Sequence, residues 1–130
     1  MASEVYPKYM EAVIQGSANS SLAGTVKAAM VDSADVTYNA AHDFFDDISA
    51  GVVGTPVTVT NKTYTNGLFD FDNIVDYDLN EGDSTEAMVV YIDTGVAGTS
   101  RLVAWIEGFT ATPSGASTCN ITWAGGVIQF

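Results

Sequence analysis

The chain of 130 residues has little positive charge. Four Lys and Arg residues stand against sixteen Asp and Glu residues, which gives a formal net charge of −12 at pH 7. Proteins that bind nucleic acid replace the phosphate counterions with Lys and Arg side chains. This chain lacks the cations to do so, and an anionic membrane surface would repel it for the same reason. The sequence therefore predicts that neither nucleic acid nor membrane is a partner.

Cysteine and long apolar runs are also scarce. Cys119 is the only cysteine, which excludes an intrachain disulfide and favours a small buried side chain. No apolar run approaches the roughly 20 residues that span a bilayer. The first residues have neither the basic start nor the apolar segment of a signal peptide. We therefore expect synthesis in the cytoplasm without a signal peptide.

Apolar residues are plentiful, at 47% of the chain, whereas charged residues make up only 15%. This balance is typical of folded rather than disordered chains. A chain of this length fits one domain that buries roughly two-thirds of its unfolded surface. We expect a single β-rich domain over residues 1–130, in which residues 1–23 form an N-terminal arm with a short helix and a loop.

Two segments in the first third of the chain have helical periodicity. Residues 7–14 start with Pro7, which the first turn of a helix tolerates. Residues 38–48 carry apolar side chains at i, i+3, i+4 and i+7, with aspartates between them. The apolar positions are Tyr9, Met10, Val13 and Ile14 in the first segment and Ala41, Phe44, Phe45 and Ile48 in the second. The pattern predicts one short helix in each segment.

The rest of the chain is typical of strands and turns. In residues 25–32 both the even-numbered and the odd-numbered positions carry apolar side chains, as in a strand buried on both faces. Alternation begins near Val57, and Asn66-Gly67 is a strong signal for a type I′ hairpin turn. Four further strands are predicted at residues 87–92, 101–107, 119–123 and 127–130. About seven short strands with turn residues between them predict a mainly β fold, an antiparallel β-sandwich or jelly roll.

The acidic stretch from residue 70 to residue 86 contains a weak calcium candidate. Asp76, Asp78 and Asn80 are spaced like the start of an EF-hand loop. The motif then fails, because the glycine is at Gly82 instead of the sixth position and the twelfth position is Ala87. A solvated acidic strand and loop is the favoured interpretation, and we predict no metal and no cofactor.

No catalytic constellation is evident in the sequence. His42 is the only histidine and lies beside Asp43, but there is no G-x-S-x-G motif to supply a nucleophile. Trp105 and Trp123 lie in apolar strands, where core packing or a subunit interface is favoured over a sugar-binding platform. We therefore predict that the protein is not an enzyme.

Several segments taken together resemble small virion proteins of tailed bacteriophages. They cover nearly the whole chain and consist mostly of packing and turn residues. The segments are Tyr6-Pro7-Lys8-Tyr9, Gly24-Thr25-Val26-Lys27, Tyr38-Asn39-Ala40-Ala41-His42-Asp43-Phe44, Val90-Tyr91-Ile92-Asp93-Thr94-Gly95, Thr99-Ser100-Arg101-Leu102-Val103-Ala104 and Ile121-Thr122-Trp123-Ala124-Gly125-Gly126-Val127-Ile128. The resemblance implies a structural protein of the virion.

Within that group, the resemblance favours a head decoration, or cement, protein. Such a protein oligomerises, often as a trimer, on the outside of the capsid, and its partner would be the major capsid protein. Its apolar strand residues and chain ends would form the intersubunit contacts, for example by adding a terminal strand to a neighbouring sheet. The interface candidates are Val5, Tyr6, Tyr9, Trp105, Trp123, Ile128 and Phe130.

Two alternatives remain open. A tail or fibre component would suit the same composition. A small carbohydrate-binding β-sandwich module would instead present aromatic side chains in exposed loops, for which Tyr38 and Phe109 are the candidates. The number of copies per virion separates a head decoration protein from a tail part.

Overall fold

The computed structural model describes residues 3–79 and 83–130. In these residues the chain forms one α-helix, two single-turn 3-10 helices and eleven strands. The helix α1 spans Pro7–Gln15, and the 3-10 helices span Phe45–Asp47 and Ser49–Gly51. The strands are β1 (Glu4–Val5), β2 (Val26–Val31), β3 (Val52–Thr58), β4 (Thr63–Thr65), β5 (Leu68–Asp70), β6 (Ile74–Asp78), β7 (Ala87–Ile92), β8 (Arg101–Ile106), β9 (Thr110–Pro113), β10 (Thr118–Thr122) and β11 (Ile128–Gln129).

The described strands form three antiparallel sheets. A five-stranded sheet has the order β1-β8-β7-β2-β3, and two three-stranded sheets have the orders β6-β10-β9 and β11-β5-β4. The arrangement is sandwich-like, with the one α-helix early in the chain. The prediction of a mainly β, antiparallel fold is therefore confirmed.

The centre of the five-stranded sheet is the core of the protein. Every residue of β7 is buried, and β2 and β8 are buried except at Lys27 and Arg101. Aromatic side chains from the segment after β2 cover this sheet: the ring of Phe45 lies 4.5 Å from that of Tyr91. Continuous apolar runs are what a strand buried on both faces requires, so the interpretation of residues 25–32 is confirmed.

The N-terminal helix begins and ends as its sequence predicts. Pro7 occupies the first turn, where its missing N–H has no helical partner to lose. At the other end Gly16 adopts a left-handed φ of 66°, and its N–H donates to the Val13 carbonyl. Ser17 donates to the Ala12 carbonyl at 2.8 Å, which completes a Schellman cap.

The second predicted α-helix, at residues 38–48, is wrong. Phe44 is extended and bridges to Arg101, and only the two 3-10 turns follow it. The Asp47 carboxylate accepts the backbone N–H of Asp43 at 2.9 Å, and the Phe45 N–H donates to Ser100 at the entry to β8. These bonds take the backbone groups that an α-helix would need, as short polar side chains often do.

The hairpin and the later strands agree with the sequence. Asn66 and Gly67 have φ angles of 52° and 78° and join β4 to β5, as the type I′ signal predicts. Strands β7, β8, β10 and β11 lie within one or two residues of their predicted bounds. Strand β6 lies in the stretch that was interpreted as an acidic strand and loop. Two strands, β1 and β9, were not predicted. They are short or exposed, so their pairing partners and not a side-chain pattern define them.

No helix in the described part of the chain is long and apolar enough to cross a membrane. The α-helix there has nine residues.

Candidate interaction surface

The helix α1 has an apolar side that the rest of the chain leaves uncovered. Tyr9 and Ala12 face the core and are buried. Met10, Val13 and Ile14 are exposed to 38%, 42% and 80%. Their spacing of three and four residues places them in one stripe on the helix surface.

Phe130 extends this apolar stripe. Its ring lies 5.9 Å from the ring of Tyr9, which is one helical turn before Val13. The Phe130 N–H donates to the Gly67 carbonyl at 2.8 Å, so the β4–β5 hairpin holds the residue in place. Phe130 is 40% exposed. We call Met10, Val13, Ile14 and Phe130 the α1 face.

Two tyrosines hold the loop at residues 16–25 next to the α1 face. The Tyr9 hydroxyl donates to the Ser20 carbonyl at 3.1 Å, and the Tyr64 hydroxyl donates to the Leu22 carbonyl at 2.7 Å. Burial raises the pKa of the Tyr9 phenol and also that of Tyr64. Both phenols therefore stay protonated and keep donating at any ordinary pH.

The cations of the protein gather around the same helix and loop. Lys62 donates to the Leu22 carbonyl at 2.8 Å, and Arg101 donates to the Ala18 carbonyl at 3.1 Å. Lys8 lies in α1 and Lys27 in β2, just after the loop. These four are all the Lys and Arg residues of the chain.

Two acids near α1 have cationic partners. Glu11 pairs with Lys8 at 3.1 Å, and Asp93 pairs with Lys27 at 3.3 Å. Residues 5–31 contain two lysines and one glutamate, whereas residues 32–130 contain fourteen acids and two cations. The cations of the chain are thus concentrated around α1, where Lys62 and Arg101 join Lys8 and Lys27.

Most of the predicted interface residues pack inside their own chain. Val5 and Trp123 are half-buried, and Phe130 is exposed. Tyr6, Tyr9, Trp105 and Ile128 are buried. The two indoles also have polar partners: Trp105 donates to Glu107 at 2.7 Å, and Trp123 donates to Asp70 at 3.0 Å.

The two ends of the chain are paired in its own sheets. Val5 is opposite Ala104 in the β1–β8 pair, and Ile128 is opposite Phe69 in the β11–β5 pair. Of the predicted interface residues, only Phe130 belongs to the α1 face. The other three residues of that face were assigned to a helix from their spacing. Their exposure could have been expected from the sequence, because the apolar residues of α1 cover more of the helix circumference than one buried side can hold.

The acidic candidate for calcium binding is dispersed. Asn80 lies outside the described residues. Asp76 accepts a hydrogen bond from Ser114 at 2.7 Å, whereas Asp78 lies 3.5 Å from the Thr55 hydroxyl. Asp76 has a positive φ of 54° at a register shift between β6 and β10. Over residues 3–79 and 83–130 there is no group of three or more Asp, Glu, His or Cys residues that could hold a metal ion.

His42 lies in a shallow depression of about 290 Å³ with Thr37 and Asp47. Its Nδ1 atom is buried and has no hydrogen-bond partner in the described part of the chain. Base catalysis of the triad type needs a base bonded to a nucleophile and to an orienting carboxylate. The Asp47 carboxylate is turned instead to the backbone N–H of Asp43.

The carboxyls of Asp43 and Asp47 share a hydrogen bond beside this depression. Desolvation raises the pKa of Asp43, and its hydrogen bond with Asp47 adds to this effect. The N–H donated by Asp43 lowers the pKa of Asp47, as does the N–H of Phe44. The pair therefore stabilises a turn, and its geometry explains both shifts without a substrate.

The aromatic residues considered for sugar binding are not free platforms. Tyr38 is half-buried, with its ring 5.3 Å from Tyr6 and 6.4 Å from Trp105. Phe109 also packs against the core. Tyr64 is exposed to 54%, but its ring stacks on Phe69.

Comparison of the chain with protein-family models, curated proteins and solved structures finds no match. The resemblance to virion proteins therefore stays a prediction from the sequence.

Proposed function

We propose that this chain is a non-enzymatic structural protein of a tailed-bacteriophage virion, bound as a decoration protein to the outside of the head. The observation that carries the proposal is the α1 face, an exposed apolar surface on an otherwise acidic protein. A protein that works by contact with other proteins needs such a surface. The acidic remainder suits an outer layer, because like charge keeps particles apart in solution.

The proposed mechanism is the addition of many weak contacts to a closed shell. Each copy that binds the assembled capsid and not its dissociated subunits lowers the free energy of the closed state. Copies that also contact one another gain from their high local concentration on the shell. The partner in this proposal is the major capsid protein.

The test uses purified virions and emptied heads. A stained gel of virions gives the copy number, and we expect hundreds of copies per particle. Purified protein added to heads stripped of it should bind until saturation and raise the temperature at which the heads open. A few copies per particle would favour the alternative of a tail or fibre component. No copies in virions and no binding to heads would contradict the virion proposal as a whole.

A further inference from the structure

The outer edge of strand β9 is open. In its sheet β9 pairs with β10, and no other strand of the described residues lies beside it. All four residues of β9 are exposed. An unpaired strand edge presents backbone donors and acceptors that another extended chain can satisfy.

The register of β9 and β10 fixes which backbone groups point outward. The Ser114 N–H donates to the Thr118 carbonyl at 3.1 Å, so these two residues form a hydrogen-bonded pair. Hydrogen-bonded and non-hydrogen-bonded pairs alternate along an antiparallel ladder. Ala111 and Pro113 therefore turn their backbone groups away from β10. Because proline has no N–H, the edge offers the N–H of Ala111 as a donor and the carbonyls of Ala111 and Pro113 as acceptors.

The core-facing side of β9 is also uncovered. Ala111 is opposite Ile121, and Pro113 is opposite Cys119. Residues opposite each other share a face of the sheet, and here the β10 residue of each pair is buried. The β9 residues are exposed instead, and an open cavity of about 400 Å³ lies next to them. We call this cavity the β9 slot, and its lining includes Leu79, Asp83, Ala111, Pro113, Ala116 and Cys119.

Carboxylates lie around the β9 slot. Asp83 is part of its lining. Asp76 accepts a hydrogen bond at 2.7 Å from the hydroxyl of Ser114, the residue that follows β9. Asp78 is opposite Thr118, which also lines the slot. The slot is therefore a negatively charged site.

Three of the four cations of the chain lie at the other end of the central sheet. Thr85 lines the slot and lies just before β7. Lys27 binds Asp93, which lies just after β7, and Lys62 and Arg101 bond to carbonyls of the loop that leads into β2. β7 has six residues, so its ends are about 17 Å apart, which exceeds the screening length of about 8 Å at physiological salt. These cations therefore do not neutralise the slot.

We propose that the β9 slot binds an extended, positively charged segment of another polypeptide. The segment adds a strand to β9 through the backbone groups of Ala111 and Pro113. Side chains alternate along a strand, so every second side chain, an apolar one, enters the slot, and the side chains between them carry the positive charge. A second copy of this chain fits poorly, because it brings the same carboxylates and its terminal strands β1 and β11 are already paired.

Titration of the purified full chain with short synthetic peptides, followed by NMR, tests the slot. The probe alternates valine and lysine and has both ends blocked. Because the contact has few backbone bonds, we expect a dissociation constant of roughly 100 μM. Hydrogen exchange of the Ala111 amide should slow when the probe is bound. A peptide with glutamate in place of lysine, and one with serine in place of valine, should each bind at least about tenfold more weakly.

Two substitutions at neighbouring positions of β9 separate the slot from the opposite face of the sheet. Ala111→Phe places a ring in the slot and should weaken binding of the probe at least about tenfold. Thr112→Phe is the matched control, because Thr112 is also exposed but faces the other side of the sheet. It should change the constant less than about threefold. Circular dichroism on both variants checks that the fold is kept.

Several results would overturn the proposal. They are no binding of the probe at about 1 mM, equal binding of the glutamate peptide, unchanged exchange of the Ala111 amide, and an equal loss of binding in Thr112→Phe. A dimer of the chain that Ala111→Phe disrupts would make a second copy the occupant and would also overturn it. The β9 slot shares no residue with the α1 face, and the measurement uses no virions. A negative result here is therefore distinct from a failure to bind emptied heads.

Discussion

The hydroxyl of Tyr77 accepts the backbone N–H of Met30 at 3.0 Å, although 47 residues separate the two in the chain. The same hydroxyl donates to the Val53 carbonyl at 2.7 Å. Met30 and Val53 face each other in the β2–β3 pair, where the register shifts. A side chain from another sheet thus bridges two strands at the point where their own hydrogen bonding is interrupted.

Loss of this bridge should destabilise the protein. Tyr77→Phe keeps the ring but leaves a buried N–H and a partly buried carbonyl without their partner, and we expect about 1–3 kcal/mol less stability toward urea. Burial raises the pKa of Tyr77 to about 12, so the phenol is protonated throughout the measurement. Tyr64→Phe is the control, because that hydroxyl bonds at an exposed site and should contribute less. Equal losses in the two variants would contradict the bridge.

Removal of the Tyr6 hydroxyl should have the opposite effect on the stability of the protein. Tyr6 is fully buried, and its hydroxyl has no hydrogen-bond partner among the described residues. Tyr6→Phe removes a buried polar atom that gains nothing in the fold, so stability should stay the same or rise by about 1 kcal/mol. Urea unfolding measures the difference. A loss similar to that of Tyr77→Phe would show that the Tyr6 hydroxyl does have a partner.

Gly54 should tolerate no side chain. Its φ is 67°, and a Cβ there would overlap the carbonyl oxygen of Asp78 on β6. We expect Gly54→Ala to destabilise the protein by more than about 4 kcal/mol or to prevent folding.

Gly95 is the matched control for this substitution. Its φ is 84°, but nothing lies within 4 Å of the position of a Cβ. Gly95→Ala therefore measures the backbone strain alone, about 1–2 kcal/mol. The difference between the two variants, measured by thermal or urea unfolding, isolates the contact between β3 and β6. Similar losses of stability in Gly54→Ala and Gly95→Ala would mean that β3 and β6 do not lie in close contact at Gly54.

The Asp43–Asp47 pair predicts that the free energy of unfolding depends on pH. Because the fold lowers the pKa of Asp47, its ionised carboxylate stabilises the folded state at neutral pH. This contribution is lost as the pH falls through the pKa of Asp47 in the folded state. The pKa of Asp43 is raised, and its contribution has the opposite sign. Asp47→Asn should therefore be less stable than the wild type at neutral pH, and the difference should shrink below about pH 4.

Urea unfolding at several pH values measures this difference. The companion variant is Asp43→Asn, which removes the carboxyl whose pKa the fold raises and should change stability in the opposite direction at neutral pH. A difference for Asp47→Asn that stays the same down to acidic pH would show that the backbone N–H groups do not discriminate between its two protonation states.

The sequence by itself determined the parts of the fold that depend on neighbouring residues. The spacing of apolar residues after Pro7 sufficed for α1, the Asn66-Gly67 pair for its hairpin turn, and the apolar runs for β2, β7 and β8. Side-chain periodicity and backbone φ preferences act within a few residues, so they can be read along the chain.

Only the tertiary structure decided which of these side chains meet a partner. Residues 38–48 have a helical stripe, yet backbone bonds to β8 and the Asp47 carboxylate prevent the α-helix. Tyr6 and Trp105 looked suited to an interface but are buried in the core, whereas Ile14 is left outside. Burial depends on elements that are distant in sequence. The hydrophobic effect has no direction, so periodicity alone does not select which apolar residues are covered.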